Sequence, residues 1–412
     1  MRNKISTFIP LLLLLLTSCH NRFYDKYDFE FGIETNISEY VIHDTKNIIE
    51  EDYFKFHGRH YLDDAVGVRF FNFSSSGLEV TFIGTTIEAN IYTTNANDNK
   101  SRPYIAVCVD NDYDPDHSTP IQLTSGKYSN STGKDGNYYV HPHVVLAHDL
   151  PYGEHTIRIY KRSECLPSKF GIKSLSCDGE IIPVKAKDLG LKLEFYGDSV
   201  TCGYAVESDD FYENFSTRTE NSMRTYANYA ANILNADISH ISCGGYPMYK
   251  SKYSQGCTPD TIPEMLSLAS VDYQTTQQYV WDNTSYIPDY VIVALGANDG
   301  SMIQNYNDKD NRVVEFVGNF KTATINFINS LLNIYEETTI IISDEIIPIR
   351  SILSNTLDDV VNEFNSIRVK RIKYSAYESA ENRVLPGNGH PNEEMHKIAG
   401  IELANFINNL SH

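Results

Sequence analysis

Tyr196-Gly197-Asp198-Ser199-Val200-Thr201-Cys202-Gly203-Tyr204 is the stretch that decides how this chain reads. Leu191, Leu193 and Phe195 lead into it with the alternation of a short buried strand, and Gly197 breaks that strand just before a serine. Ser199 therefore stands at a strand end. On a turn between a strand and a following helix its hydroxyl projects from the carboxyl edge of a sheet, where open α/β folds hold their ligands. The spacing is not that of a G-x-S-x-G elbow. An isolated Gly-Asp-Ser would serve equally well as a helix N-cap or an Asp-Ser turn, so the surrounding chain has to discriminate.

Strands and helices alternate around this stretch. Strand candidates are Leu191 to Phe195, Ile238 to Ser242, Tyr290 to Leu295 and Thr339 to Ser343. Helical runs are Met223 to Leu234, Val313 to Tyr335 and Glu393 to Leu410, the last with Met395, Ile398, Ala399, Leu403, Phe406, Ile407 and Leu410 on one face. Such alternation predicts a mostly parallel sheet covered by helices on both sides, a three-layer α/β fold.

A serine nucleophile needs a base for its proton and donors for the oxyanion formed at the attacked carbonyl. The strand ends supply candidates for both. After the second strand comes Ser242-Cys243-Gly244-Gly245, whose Gly244 amide is a candidate donor. After the third comes Gly296-Ala297-Asn298-Asp299, where Asn298 offers a side-chain amide, although the same residues also make an Asx turn. The base candidate is His390 in Gly387-Asn388-Gly389-His390-Pro391-Asn392. Pro391 suits the first turn of the last helix, which puts His390 at that helix's entrance near the carboxyl edge of the sheet. His396, further along, reads as a helix-surface residue, and Asp198 as a structural member of the serine turn.

Upstream the pattern is β. Val66 to Phe73, Leu78 to Phe82, Ile87 to Tyr92, Tyr104 to Val109, Tyr139 to Leu146 and His155 to Tyr160 are short strand-like runs without intervening helices, which predicts a jelly-roll-like sandwich of two packed sheets. Within it, Asp110, Asp112 and Asp114 match the start of an EF-hand loop. Pro115 stands where glycine is needed and Ile121 where the bidentate glutamate belongs, so a solvated acidic turn is the stronger reading. After Pro183 a polar joint, Val184-Lys185-Ala186-Lys187-Asp188, separates the halves.

The N-terminus has its own logic. Arg2 and Lys4 precede an apolar run from Ile9 to Leu16 that is too short to span a bilayer, followed by Leu16-Thr17-Ser18-Cys19. This resembles a bacterial lipoprotein signal with Cys19 as the lipidated residue, and a plain secretory signal is the alternative. The expected organisation is a signal over residues 1–19, a tether over 20–36, a β-sandwich over 37–185 and an α/β domain over 186–412. Loss of residues 1–18 would take the formal charge from −20 to −22, because only Arg2 and Lys4 are charged there. So acidic a surface disfavours nucleic acid and leaves the membrane as a partner only through the lipid. Cys108, Cys165, Cys177, Cys202, Cys243 and Cys257 remain; an even number permits disulfides, and no Cys-x-x-Cys spacing supports a structural zinc site.

Four motifs in register carry a resemblance. Ser199, Gly244, Asn298 and His390 fill the four signature positions of the SGNH (GDSL) hydrolases in order. The longer string Gly-Asp-Ser-x-Thr-Cys-Gly-Tyr, with Trp281-Asp282 and Pro288-Asp289 ahead of Gly296, is similar to carbohydrate esterase family 2 in particular. In the N-terminal half, His57-Gly58-Arg59, Phe82-Ile83-Gly84-Thr85 and the run His155 to Glu164 resemble that family's jelly-roll domain.

The resemblance implies a cell-envelope enzyme that removes acetyl groups from xylan- or mannan-type polysaccharides without metal or organic cofactor. His390 would activate Ser199, and the Ser199 amide, Gly244 and Asn298 would form the oxyanion hole. Trp281, the only tryptophan, is a candidate sugar platform or an interdomain core residue.

Two positions depart from the family pattern. Where an aspartate usually precedes the histidine stand Asn388 and Gly387, so the imidazole would be supported by Asn388 or by a carbonyl. Ala205 stands where glycine is usual. Two other functions stay open at this point: a non-catalytic glycan-binding lipoprotein on the same scaffold, and an esterase acting on acetylated peptidoglycan, sialic acid or a lipid. The absence of a long apolar lid segment makes a lipase the weaker choice.

Overall fold

The two periodicities of the sequence become two layered halves. The computed structural model describes residues 40–410, apart from 96–97, 125–126, 134–135, 185–189, 255, 257–258, 272–278 and 382. The expected signal and tether, with Cys19, lie outside the described residues.

The runs between Asp44 and Ile182 pair into two sheets. One has the order His60–Asp63, Val68–Phe71, Phe170–Cys177, Ile87–Thr93, Gly136–Ala147, Lys127–Gly133, with Asp44–Asn47 also on Phe170–Cys177. The other runs Glu180–Ile182, Gly77–Gly84, Gly153–Lys161, Tyr104–Val109, Thr119–Gln122, with Phe54–His57 also on Gly77–Gly84. Every pairing is antiparallel. Register sets the core: Ile157 lies opposite Val80 and Ile159 opposite Leu78, so one face of each strand is apolar and turned inward. This is the expected β-rich half, and all six expected runs are strands.

The second half is a five-stranded parallel sheet. Its strands are Leu191–Gly197 (β1), Ala236–Ser242 (β2), Tyr290–Ala294 (β3), Thr339–Ser343 (β4) and Val369–Ile372 (β5), in the order β2-β1-β3-β4-β5. The helices that matter here are Ser199–Cys202 (α1), Tyr226–Leu234 (α2), Ala297–Ile303 (α3), Asn311–Ile334 (α4), Ser351–Phe364 (α5) and Glu393–Leu410 (α6), with two single turns, Ala376–Ser379 and Pro386–Gly389, ahead of the last. Alternate strand residues face opposite layers. Val291, Val293, Ile340 and Ile342 pack on Phe320, Phe327 and Leu331 of α4 and Leu353 and Leu357 of α5. Leu193, Phe195, Ile292 and Ile341 pack on Ala227 and Ala230 of α2 and Met395, Ala399 and Leu403 of α6. The strand order reverses between β1 and β3, and the crevice outside their carboxyl ends is the ligand position of such a sheet.

One sequence reading is corrected here. His396 is not on a surface: it is fully buried between α6 and α2, where its Nδ1 accepts the Tyr226 N–H at 3.1 Å.

The halves are joined by buried polar contacts. Arg59 of the sandwich is fully buried and donates to the carbonyls of Met265, Leu266 and Leu268 at 3.0, 2.9 and 2.9 Å and to the Tyr196 hydroxyl at 2.9 Å. Its guanidinium also faces Glu194 of β1 at 3.5 Å. The two terminal nitrogens of this buried guanidinium are well supplied with acceptors, while Nε has none among the described residues, and the set of bonds ties the sandwich to the strand that carries the serine.

Candidate active site

Only Asp198 separates the end of β1 from the start of α1. Its Oδ1 accepts the Val200 N–H at 3.0 Å, an N-cap that fixes the turn on which Ser199 stands and gives Asp198 the structural role expected of it. The Ser199 Oγ lies 2.8 Å from His390 Nε2, and His390 Nδ1 lies 2.6 Å from the carbonyl oxygen of Gly387. A carbonyl can only accept, so Nδ1 carries the ring proton and Nε2 presents its lone pair to the serine O–H. Burial pushes the His390 pKa below its ordinary value, against the raising effect of the Gly387 bond, and keeps the imidazole neutral at neutral pH. Tyr204 stacks on the ring with centroids 4.2 Å apart and planes 24° apart.

The support for His390 is therefore the carbonyl of Gly387, not the side chain of Asn388. Asn388 is exposed, and its backbone N–H is tied to the Phe211 carbonyl at 2.6 Å, which turns the residue out of the site. Gly387 has φ +53°, and a Cβ there would fall 2.5 Å from that of Ala205 and 2.6 Å from the Tyr204 ring. Glycine is required for the loop to bring its carbonyl to the imidazole.

Asn298, at the start of α3, reaches the same turn. Its Nδ2 is 2.6 Å from Asp198 Oδ2 and 3.3 Å from the Tyr246 carbonyl. Gly244 behaves otherwise than expected: its N–H is already taken, donating to the carboxylate of Glu164. Among the described residues, the amides of Ser199 and of the next glycine, Gly245, have no acceptor. The four expected positions converge on one crevice, with the open donor of the second block displaced by one residue.

The profile of the GDSL-like lipase/acylhydrolase family matches residues 193–403, about half of the chain. The chain belongs to that family. Its relatives include an acetylxylan esterase/glucomannan deacetylase of Cellvibrio japonicus, 25% identical over 84% of this chain and 86% of that protein. The cellulase/esterase CelE of Acetivibrio thermocellus is 28% identical over 48% of this chain, which spans only 22% of CelE. Among solved structures, a family two carbohydrate esterase from Cellvibrio japonicus superposes with a TM-score of 0.71 at 23% identity, covering 90% of this chain and 98% of that one. An acetyl xylan esterase from the rumen bacterium Butyrivibrio proteoclasticus gives 0.70 at 18% identity over 90% and 98%. The order of β-rich half and parallel α/β half is common to these structures, so the resemblance read from the motifs holds at the level of fold.

Within this GDSL-family framework Trp281 is not a sugar platform. It is 8% exposed and packs among Tyr61, Phe70, Tyr279 and Tyr286. The aromatics beside the site that face solvent are Tyr253, which lies against Gly245, and Phe211 and Tyr212, on the loop that grips Asn388. Two other features went unread in the sequence, Glu164 and Tyr204, although both lie inside stretches that are conspicuous for other reasons; of the two supports expected for the imidazole, the carbonyl is the one found, and it belongs to Gly387.

Metal-ligand geometry is met among the described residues by Glu164, Cys202 and Glu220, whose ligand atoms lie within 4.8 Å of one another. The donor set does not suit a cation: the Cys202 thiol is pushed well up by burial and stays protonated, Glu164 accepts from Gly244, and the Lys161 ammonium donates to the Glu164 carbonyl beside it. In the acidic loop, Asp110 is held by His155 at 2.9 Å, Asp112 by His117 at 2.8 Å and Asp116 by Arg224 at 2.6 Å, so its carboxylates have partners within the chain. Cys108, Cys165, Cys177, Cys202 and Cys243 are buried free thiols, and Cys257 lies outside the described residues.

Proposed function

We propose that this chain is a carbohydrate O-acetyl esterase acting on xylan- or mannan-type polysaccharides or oligosaccharides through a Ser199 acyl-enzyme. The observation that carries the reading is the line Ser199 Oγ, His390 Nε2, His390 Nδ1, Gly387 O, with gaps of 2.8 and 2.6 Å, at the strand-order switch of the sheet. The substrate class is supported by the relatives described as acetylxylan esterase and glucomannan deacetylase.

His390 takes the Ser199 proton as Oγ attacks the acetyl carbonyl. The oxyanion is met by the Ser199 amide, by Asn298 turning an N–H away from Tyr246, and by the Gly244-Gly245 turn. The imidazolium returns its proton to the departing sugar hydroxyl. Water, deprotonated by the same imidazole, then attacks the acetyl-serine and releases acetate. No step calls on a metal or an organic cofactor.

Acetate release from p-nitrophenyl acetate, acetylated xylan and acetylated glucomannan, measured beside Ser199→Ala, tests this. Release that vanishes in the variant is the expected result. A folded wild-type protein that releases nothing from these substrates, acetylated peptidoglycan or sialic acid would instead leave glycan binding as the function.

The cellular setting we propose is the bacterial envelope, with anchoring through a lipid on Cys19; the support is the N-terminal sequence alone. Incorporation of labelled palmitate that is lost in Cys19→Ala is expected, and label retained in the variant overturns the assignment.

A further inference from the structure

We propose that Glu164, delivered by the β-sandwich half, is a positioning residue of the esterase site: it holds the Gly244 peptide and thereby aims the neighbouring Gly245 amide at the oxyanion. The inference rests on the acyl-transfer reading above and adds to it a residue from the other half of the molecule.

The strand Gly153–Lys161 ends at Lys161, and the chain that follows runs under the carboxyl ends of β1 and β2. It is pinned there along its length. The Lys161 N–H donates to the Ser76 carbonyl at 2.8 Å, the Arg162 carbonyl accepts from Ser222 at 2.9 Å, and Cys165 Sγ approaches the Ser242 carbonyl at 3.6 Å. Between these points the Glu164 side chain rises to the turn after β2 and accepts the Gly244 N–H. The fit leaves no room for a side chain, because a Cβ on Gly244 would fall 2.7 Å from Glu164 Oε2.

The carboxylate also reaches the nucleophile's own helix. Cys202, three residues after Ser199, places its Sγ 3.9 Å from Glu164 Oε2 and 3.2 Å from Ser242 Oγ. Glu164 therefore bridges the two turns that must keep a fixed separation for an oxyanion to be held between them. Its own backbone N–H donates to Glu220 Oε2 at 2.9 Å, and the Lys161 ammonium caps the Ser163 carbonyl at 2.7 Å and the Glu164 carbonyl as well.

A carboxylate with so little exposure is expensive to keep unless every contact is met. Burial raises both Glu164 and Glu220 and draws Lys161 down to about 8, as befits one ammonium among two carboxyl groups that do not both ionise. What this arrangement achieves locally is a fixed Cys243–Gly244 peptide. Gly245, at φ +80°, then presents the amide that has no acceptor among the described residues. An oxyanion donor displaced by about an ångström loses on the order of 10²-fold in rate, so the holding contact is read in kcat rather than in binding.

Glu164→Ala, Glu164→Asp and Glu164→Gln are compared with wild type for kcat and KM on p-nitrophenyl acetate, with thermal melts to confirm folding. Glutamine keeps an acceptor oxygen at the same reach; aspartate withdraws it by one methylene. The expected result is a kcat lowered by roughly 10- to 100-fold in the alanine and aspartate variants, KM within about twofold, and substantial recovery in the glutamine variant. Should the alanine variant not fold, the aspartate and glutamine pair decides. Folded aspartate and glutamine variants with equal and undiminished kcat overturn the positioning role, as does a loss carried wholly by KM. A wild-type protein without esterase activity would instead overturn the acyl-transfer reading itself, and the two failures are thus told apart.

Discussion

His390 and Gly387 sit three residues apart in one loop, and the Nδ1 of the first lies 2.6 Å from the carbonyl oxygen of the second. A carboxylate in this place would orient the imidazole and also stabilise its cation with a full negative charge; a peptide carbonyl orients it and contributes only a dipole. The orientation is nonetheless tightly set, because Gly387 is wedged against Tyr204 and Ala205, and Tyr204 covers the imidazole face.

It follows that changing Asn388 does little. Asn388→Asp keeps a residue tolerant of its left-handed backbone (φ +62°) and is expected to leave kcat within about twofold of wild type. His390→Ala is expected to lower kcat by about 10⁴-fold or more. A tenfold gain in the Asn388→Asp variant would show that the side chain does reach the imidazole, contrary to its exposed position.

The acid limb of the pH profile follows from burial. The His390 pKa lies below 6.5, and the base must be neutral in the free enzyme to accept the serine proton. The ratio kcat/KM should therefore rise with pH through a midpoint below 6.5 and be flat by neutrality. Stability has the same sign: His240 and His396, both drawn down to about 3, favour the folded state fully above pH 6.5 and lose that contribution as pH falls toward 3. Rates read between pH 4.5 and 8, with circular dichroism at each point, separate the two effects. A kinetic midpoint at or above 7 would contradict the desolvated site.

Much of this arrangement was legible in the sequence because it lies in strand-end motifs with fixed spacing. Ser199 and Asn298 each follow an apolar run that reads as a buried strand, and His390 stands just before the proline that opens the last helix; each is where that logic puts it. What escaped depends on contacts between distant segments. The strand Phe170–Cys177 was missed because Gly171, Lys173, Ser174 and Ser176 break its apolar pattern; ladders on both sides make it a strand. The exit of Gly244 from the oxyanion role is equally invisible locally, since it is Glu164, 80 residues earlier, that takes up that amide. His396 was misjudged, and Trp281 was left between a sugar platform and the core position it takes, because residue type alone does not tell an imidazole or an aromatic which neighbour will cover it.

Burial also separates two aromatics with respect to substrate. Trp281→Phe should lower thermal stability through lost packing while leaving KM for acetylated glucomannan unchanged. Tyr253→Ala, at a residue that is 53% exposed beside Gly245, should raise KM for the polysaccharide several-fold with little effect on p-nitrophenyl acetate. If Trp281→Phe weakens polysaccharide binding and Tyr253→Ala does not, the assignment of the sugar surface is reversed.

Ala205 gives a test of stored backbone strain. It holds φ +53°, a conformation that costs an L-residue with a Cβ about 1 kcal/mol or more, and it is buried against the Gly387 loop. Ala205→Gly removes the penalty but loosens the unfolded chain, so a net gain of roughly 0.5 kcal/mol is expected from urea unfolding. A loss above about 1 kcal/mol would mean that the methyl group's packing outweighs the strain.

Behind the serine turn, the carboxyl groups of Asp198 and Glu345 are both buried and close to one another, an arrangement that favours one proton held by the pair. Glu345 Oε1 also accepts the Ala297 N–H at 2.8 Å, and Asp198 Oδ2 holds Asn298 at 2.6 Å, so the pair underlies two of the three strand-end motifs. Burial raises Asp198 to about 7 and Glu345 well above its ordinary value. For a carboxyl raised on folding, the native state holds the proton more tightly than the unfolded chain. That contribution is fully present below the unfolded pKa near 4 and is lost as pH rises through the folded values. Glu345→Gln keeps the acceptor for Ala297, supplies an amide donor to Asp198 and removes one titrating group. Its stability relative to wild type should therefore improve with pH, by about 1 to 3 kcal/mol between pH 5 and pH 8 in urea unfolding. Glu345→Gln with the same difference from wild type at both pH values would show that the two carboxyls do not share a proton.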